Sequence, residues 1–477
     1  MKLFLALIAM LNLLASCVAN TPTAPPDAHV PQVYRGLAAD ATASLGDVPW
    51  RQLYDDPVLQ SLIEQALKKN YTVQQAYAAV LASQANLAIT KGNQQPQGQA
   101  TFQTPYTINA GDKTPITPSN AFAQSLGVSA SYEIDLFGKL ASATAASQAQ
   151  LLATEWGQAT LFASLVSQVA SAYFQLLELD ELMEISQQSA KLREENVRLM
   201  KLRVDYGESG EQDLLQAQQA LLEVTEQIPL IRQDTIQTEN ALSVLTGDYP
   251  HDIKRGLTLE QQIKMPVLPS TGIPSRLLTR RPDVQQSEYQ LIAADAQIDV
   301  ARKLLYPSLS LGVGATASGG IVNGIDPNLP YNLSSGVNGV WFGPSGLFSI
   351  VPQLTQTIFS GGKLQANVQL AKAQQQQLVF GYLQTVQQAF QEVSNNITAY
   401  NQQRLYRIET DKYTAASVES ARLAQLRYQE GQTAYLEVLN AETRAYQAEV
   451  TSTKARLSER LALVQLYLAL GGGWQQS

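Results

Sequence analysis

The stretch from Leu426 to Glu442, LRYQEGQTAYLEVLNAE, has an earlier copy at Leu202 to Gln218. A shift of 224 positions superposes the two without a gap. Leu202, Arg203 and Gly207 fall on Leu426, Arg427 and Gly431, and Leu215 and Ala217 fall on Leu439 and Ala441. The same shift carries Leu242 to Leu466, Gly247 to Gly471 and, upstream, Lys139 to Lys363. A constant offset over about a hundred residues marks a tandem duplication, and this constrains the fold more than any single motif does. Each copy reads as a long helix, a short glycine-marked turn and a returning helix.

The 477 residues suffice for two or three ordinary domains or for one elongated structure. A net charge of −8 and a pI near 5.1 argue against a nucleic-acid partner, which demands a basic face. The two histidines, His29 and His251, lie in different loop-like stretches, so a histidine metal site is not expected. Much of the 45% hydrophobic content is Ala, and Gln, Ser and Thr dominate the polar residues. That composition suits long helices packed through small residues. Gly361-Gly362-Lys363 lacks the spacing of a phosphate-binding loop, and Gly343-Pro344-Ser345-Gly346 is not a GxSxG elbow. No enzyme is indicated.

The single cysteine is Cys17. Before it come one Lys, the apolar run Leu3 to Leu14, and Ala15-Ser16, so residues 1–16 read as a secretory signal peptide. The run is too short for a permanent membrane helix. Leu14-Ala15-Ser16-Cys17 resembles a bacterial lipobox, which implies lipidation of Cys17; the alternative is a plain signal peptide with an incidental cysteine. Val18 rather than Asp follows, which implies export to the outer membrane. No cofactor is expected beyond this covalent lipid, which tethers a chain without making it span.

Residues 17–50 read as an extended, Pro- and Thr-rich arm. The first repeat occupies 51–247. Asp55-Asp56-Pro57 opens a helix, with a break expected at Lys69-Asn70. From Pro96 the period changes to two, giving a β-hairpin over about 96–137. Leu126, Val128, Ala130, Tyr132, Ile134 and Leu136 alternate with Ser125, Gly127, Ser129, Ser131, Glu133 and Asp135. The strands have the length of membrane-crossing β-structure, although a half-buried soluble hairpin shows the same alternation. A long helix over 138–203 follows, with Leu165, Val169, Ala172, Leu176, Leu179 and Met183 as a heptad seam. The turn at 204–211 leads to a return helix over 211–247, which Pro229 should kink.

Residues 248–274 form an irregular link. The second repeat, 275–470, begins with Arg281-Pro282-Asp283-Val284, aligned to Asn70-Tyr71-Thr72-Val73 at an offset of 211. A hairpin over about 307–359, a long helix over 362–427, a tip at 428–434 and a return helix over 434–470 follow. Val386, Phe390, Val393, Ile397 and Tyr400 form the seam of the long helix over 362–427. The change of offset makes the second hairpin 13 residues longer, and 471–477 is a tail. Four strands cannot close a barrel, and open edges are not tolerated in lipid. Subunits must therefore pool strands: three supply twelve, while two would supply eight.

Six stretches carry a resemblance to a known family. They are the lipobox, Tyr132 to Lys139 (YEIDLFGK), Leu278 to Val284 (LTRRPDV), Tyr306 to Leu311 (YPSLSL), Phe359 to Gly362 (FSGG) and Ala469 to Trp474 (ALGGGW). Through them the chain resembles the outer-membrane factors, the TolC-like efflux outlets, of the lipoprotein subgroup. The resemblance implies an α+β membrane protein: a homotrimer with a 12-stranded barrel and a long periplasmic helical barrel with coiled-coil packing. The equatorial region would come from 18–50, 248–274 and the tail. The implied partners are a periplasmic adaptor, a proton-driven inner-membrane pump and outer-membrane lipid. The implied role is passive exit of small molecules, including antibiotics.

By the same resemblance, Arg203 with Gly207 and Arg427 with Gly431 sit at the adaptor-contacting tips. Their plainer reading is helix C-caps and complements to the helix dipole. Leu436 and Asn440 match the family's closing rings, apolar and acidic. Asn440 departs from the family's Asp, so Glu437 and Glu442 become the candidates to supply charge at the gate. Leu436 could instead be ordinary seam packing. Tyr106, Tyr132 and Trp341 are candidates for an aromatic belt. The alternatives are an outlet for ATP-driven protein secretion and a non-conducting coiled-coil lipoprotein.

Overall fold

A computed structural model describes residues 26, 31, 34, 44–104, 106–107, 120–262, 271–272, 274–323 and 347–475. Cys17, residues 1–16 where a signal peptide is expected, His29, most of the arm, residues 263–270 and Trp341 lie outside them. In chain order the elements are α1 (Trp50–Leu53), α2 (Pro57–Lys69), α3 (Tyr71–Gly92), β1 (Gln97–Gln103), β2 (Tyr106–Thr107) and β3 (Asn120–Ile134). Then come α4 (Lys139–Asp205), α5 (Glu211–Thr225), α6 (Gln227–Leu245), α7 (Pro274–Arg280) and α8 (Pro282–Lys303). The chain ends with β4 (Ser308–Asn323), β5 (Leu347–Thr355), α9 (Lys363–Gln429) and α10 (Tyr435–Ala469).

The duplication is visible element by element. Helices α4 and α9 each have 67 residues, and α3 and α8 each have 22. At the α-helical rise α4 and α9 are each about 100 Å long. The caps have local causes. The Asp56 side chain accepts from Val58 N at 2.8 Å with Pro57 at the first helical position. Asn70 separates α2 from α3 by accepting from Thr72 N at 2.8 Å. The first return helix is interrupted at Glu226, between α5 and α6, rather than bent within one continuous element. Pro229 has no N–H to give the Thr225 carbonyl, so the ladder loses a rung there. The second copy carries Thr453 at the equivalent place, and α10 runs unbroken.

The compact units cut across the repeats. One contains Ser83–Leu151 and Gln290–Leu378; the other contains Pro25–Ala82, Leu152–Tyr289 and Val379–Ser477. Each unit therefore holds part of both copies.

The first unit carries one antiparallel sheet in the order β1-β3-β4-β5, with β2 continuing beside β3. The register brings Leu126 opposite Phe102 and Ala317, and Val128 opposite Ala100 and Ala315. It sets Ile350 opposite Val313 and Leu354 opposite Leu309. One face thus gathers Phe102, Leu126, Val128, Phe348, Ile350 and Leu354, all more than half exposed. The opposite face carries Thr101, Ser129, Ser310, Gly312 and Gly314 by the strict alternation of the pleat. An apolar face of that extent on a sheet is the signature of a lipid-facing wall. Strands β3 and β4, of 15 and 16 residues, exceed the crossing length, whereas β1 and β5, of 7 and 9 residues, form the edges. Tyr132 lies on the apolar face, 38% exposed.

In the second unit, α4 is buried well beyond its heptad seam. Besides Leu165, Val169, Leu176 and Leu179, the residues Val166, Ala170, Tyr173, Phe174 and Leu177 are buried. This stretch packs against neighbours on several sides, which a two-position seam does not anticipate. The helix is long and apolar enough to cross a membrane, but 61% of its most apolar window is buried inside the protein. Its apolar residues build the core, each large one contributing roughly 1.5–3 kcal/mol. The seam of α9 is buried at Val386, Val393, Ile397 and Tyr400, with Phe390 half-buried. The Leu278 to Val284 motif acts as a clasp within this unit. Arg281 donates to the Ala469 carbonyl at 3.1 Å and pairs with Asp283 at 2.6 Å and Glu392 at 2.7 Å.

Candidate functional site

Both tips are built the same way. Gly207 has φ 74°, its N–H donates to Val204 O at 2.9 Å, and Glu208 N donates to Arg203 O at 2.8 Å. Gly431 has φ 70°, its N–H donates to Tyr428 O at 3.0 Å, and Gln432 N donates to Arg427 O at 2.8 Å. These are Schellman caps, whose left-handed residue disfavours any side chain. Neither glycine has an atom within 4 Å of where a Cβ would stand, so backbone conformation alone accounts for them.

The two arginines, equivalent in sequence, differ in the structure. Arg203 donates to the Tyr428 hydroxyl, and its guanidinium lies 4.9 Å from the centre of that ring. Tyr428 in turn stands 5.6 Å from the Tyr435 ring. The first copy has Val204 and Glu211 where the second has Tyr428 and Tyr435, so of the two arginines it is Arg203 that finds an aromatic partner among the described residues. Arg427 is exposed, and its side chain makes no ion pair among the described residues. Behind the turns, Met200, Ala217, Tyr435 and Val438 form a small buried cluster of their own. Burial pushes the Tyr435 hydroxyl up to about 12.

From Tyr435 the helical period sorts α10 into two faces. Tyr435, Val438 and Ala441 are buried, while Leu436, Glu437 and Asn440 are exposed. Leu436 is therefore off the seam, 47% exposed. Leu436, Asn440 and Arg444 share an open groove of about 590 Å³ with Gln216, Gln219 and Glu223 of α5. Glu442 does not supply charge here. It points the other way, where Asn196 Nδ2 donates to it at 3.1 Å, and burial raises its pKa above the usual carboxylate range.

A carboxylate with a raised pKa binds its proton before the unfolded chain does. Its charged form therefore costs stability above the folded-state pKa, and that cost vanishes below the unfolded value. Glu442→Gln is expected to raise thermal stability at pH 8 and to leave it unchanged below the ordinary carboxylate pKa. Melting curves at the two pH values check this, and equal shifts at both would refute it.

Sequence reasoning missed Arg193. It is 2% exposed, yet it joins three helices. It donates to Ala220 O at 2.6 Å in α5 and to Thr443 Oγ1 at 3.3 Å in α10, and it pairs with Glu223 at 3.6 Å. The available signal was its repeat partner, Ser417: a charge on one copy and none on the other. Among the described residues no group of acidic, His or Cys side chains has the arrangement of a metal site.

Comparison with known proteins agrees with this geometry. The chain is 29% identical over 482 residues to the probable outer membrane lipoprotein SilC of Salmonella typhimurium, covering 99% of each. It is 32% identical over 467 residues to the toluene efflux pump outer membrane protein TtgC of Pseudomonas putida, covering 96% of this chain and 92% of that one. It superposes on the open-state MtrE outer membrane channel of Neisseria gonorrhoeae with a TM-score of 0.81 at 28% identity, covering 96% and 99% of the two chains. The sequence model described as outer membrane efflux protein matches residues 62–248 and 273–472, which takes in both copies of the repeat. With its lipid-type sheet and its paired 67-residue helices, the chain belongs to the outer membrane efflux protein family.

Proposed function

We propose that this outer-membrane efflux channel works as a homotrimer in which three four-stranded sheets close one twelve-stranded barrel. The observation that carries this reading is the sheet itself: a broad exposed apolar face, a small polar opposite face and two edges, β1 and β5, without a neighbour among the described residues. Unpaired edges in hydrocarbon cost several kcal/mol per group, so closure by further copies is required. The family works with a periplasmic adaptor and an inner-membrane pump, and the channel itself is passive. A proton-driven pump supplies the energy in this reading. Arg427 and the Gly431 turn are free to meet the adaptor, while Arg203 is held on Tyr428 and supports the tip from within. Cys17 carries the lipid anchor, a reading favoured by the lipobox and by the lipoprotein description of SilC.

Leu436, half-exposed toward the groove, is the apolar element of the constriction and Asn440 its polar neighbour; Glu437, expected at the gate from the sequence, is exposed but does not line this groove. Purified protein in planar bilayers is expected to show a trimer mass and a small, flickering conductance that rises severalfold in Leu436→Ser. A monomer, or a trimer silent in both forms, would favour a non-conducting coiled-coil lipoprotein. A dimer mass would replace twelve strands by eight.

A further inference from the structure

We propose that Arg444, rather than residue 440, sets the charge selectivity of the constriction and makes it favour anions. This rests on the channel reading above. Arg444 lies two helical turns beyond Leu436 and one beyond Asn440, on the same exposed face of α10, and lines the same groove. Its side chain has no ion-pair partner among the described residues. Asn440, the nearest polar group along that face, is neutral. The acid facing Arg444 from α5, Glu223, is paired from behind by the buried Arg193 at 3.6 Å, so its charge is already countered. Glu442 is turned toward Asn196. Glu437 is exposed but does not line the groove. The groove is thus left with one uncompensated positive charge per chain.

Two other large grooves have a different chemistry. One, of about 740 Å³, is lined by Lys191, Arg198, Glu194 and Glu195, whose charges balance, with Arg198 paired to Glu195 at 2.6 Å. In the sheet-bearing unit, a groove of about 730 Å³ is lined by Asn86, Gln150, Gln290, Gln297 and Gln374 together with small residues, and no ionisable side chain lines it. Amides and hydroxyls solvate either sign of ion and discriminate little. With one groove uncharged and another balanced, net positive charge among these three grooves stands at Arg444. Rings of arginine select anions in pores because a narrow, low-dielectric passage magnifies the field of each fixed charge.

The test is the reversal potential across a planar bilayer under a potassium chloride gradient, for wild type, Arg444→Gln and Glu437→Gln, each alone and combined with Leu436→Ser. Arg444 is exposed, so its replacement by Gln leaves the packing intact, and the oligomer mass of each variant confirms assembly. Wild type is expected to pass chloride in preference to potassium. The preference should be lost or reversed in Arg444→Gln with conductance retained, and kept in Glu437→Gln. A wild type that prefers potassium, or an Arg444→Gln channel that conducts with unchanged preference, would overturn the assignment and leave the channel reading standing. No conductance in any form would overturn both.

Discussion

Asp56→Ala is expected to destabilise the unit that contains it by about 3–5 kcal/mol, among the largest effects available to a single substitution here. Asp56 is fully buried. One carboxylate oxygen caps α2 through Val58 N at 2.8 Å. The other accepts from Tyr173 Oη at 3.0 Å, Leu257 N at 2.9 Å and Gln262 Nε2 at 2.6 Å. The residue thus pins the link after α6 to both α2 and α4. Truncation takes the acceptor from four donors, of which only Gln262 Nε2 keeps a second acceptor, Leu257 O at 2.6 Å, and each stranded group costs about 1–3 kcal/mol. Tyr173 is held as a donor because burial raises its pKa far above neutrality, and its oxygen accepts from Gly256 N at 2.8 Å. Gly256 is required for the same reason: a Cβ there would stand 2.2 Å from Asp56 Oδ1. Gly256→Val should reproduce the loss from the opposite side. Denaturant unfolding followed by tryptophan fluorescence measures both, and a loss below about 1 kcal/mol for Asp56→Ala would contradict this account.

The second large effect is expected at Arg193. Arg193→Met removes the only side chain that hydrogen-bonds α4 to both α5 and α10 near the tip, among the described contacts. Glu223 is half-exposed and can return to water, so no buried charge is stranded. The Ala220 carbonyl keeps its helical bond and loses only its second partner. The cost is therefore about 1–3 kcal/mol, confined to the tip. It should appear as faster amide exchange in Glu211–Thr225 and as a larger mean conductance, with the main core unchanged. Arg193→Lys should not rescue it, because a single ammonium cannot serve the three directions of the guanidinium fork. Unchanged exchange in α5 would refute the role.

Much of the architecture was legible in the chain because it depends on local and periodic physics. The duplication predicted paired helices of equal length, and α4 and α9 both have 67 residues. Alternation at 125–136 announced a two-faced strand, and the pleat permits no other outcome once the register is set. Asp56-Pro57 and Asn70 marked helix starts because their side chains satisfy backbone donors within a few residues. The tips were legible as well, since a left-handed cap calls for glycine wherever it occurs.

Direction toward a third element was not legible. The helical period places Leu436, Asn440 and Arg444 on one face and Glu442 on another, but it does not say which face meets α4 and which meets open space. That was decided by Asn196 and Arg193 across the helix pair, so Glu442 turned inward and Arg444 took the groove. Likewise Arg203 and Arg427 are equal in sequence and unequal in the fold, because only the tertiary structure brings Tyr428 to one of them. The compact units cut across the repeats for the same reason. Sequence order sets which residues belong to a copy, whereas burial follows whichever helices lie side by side. The sequence by itself thus determined the elements, their lengths and their faces. The tertiary structure alone decided which face each charge meets, because that depends on contacts between residues hundreds of positions apart.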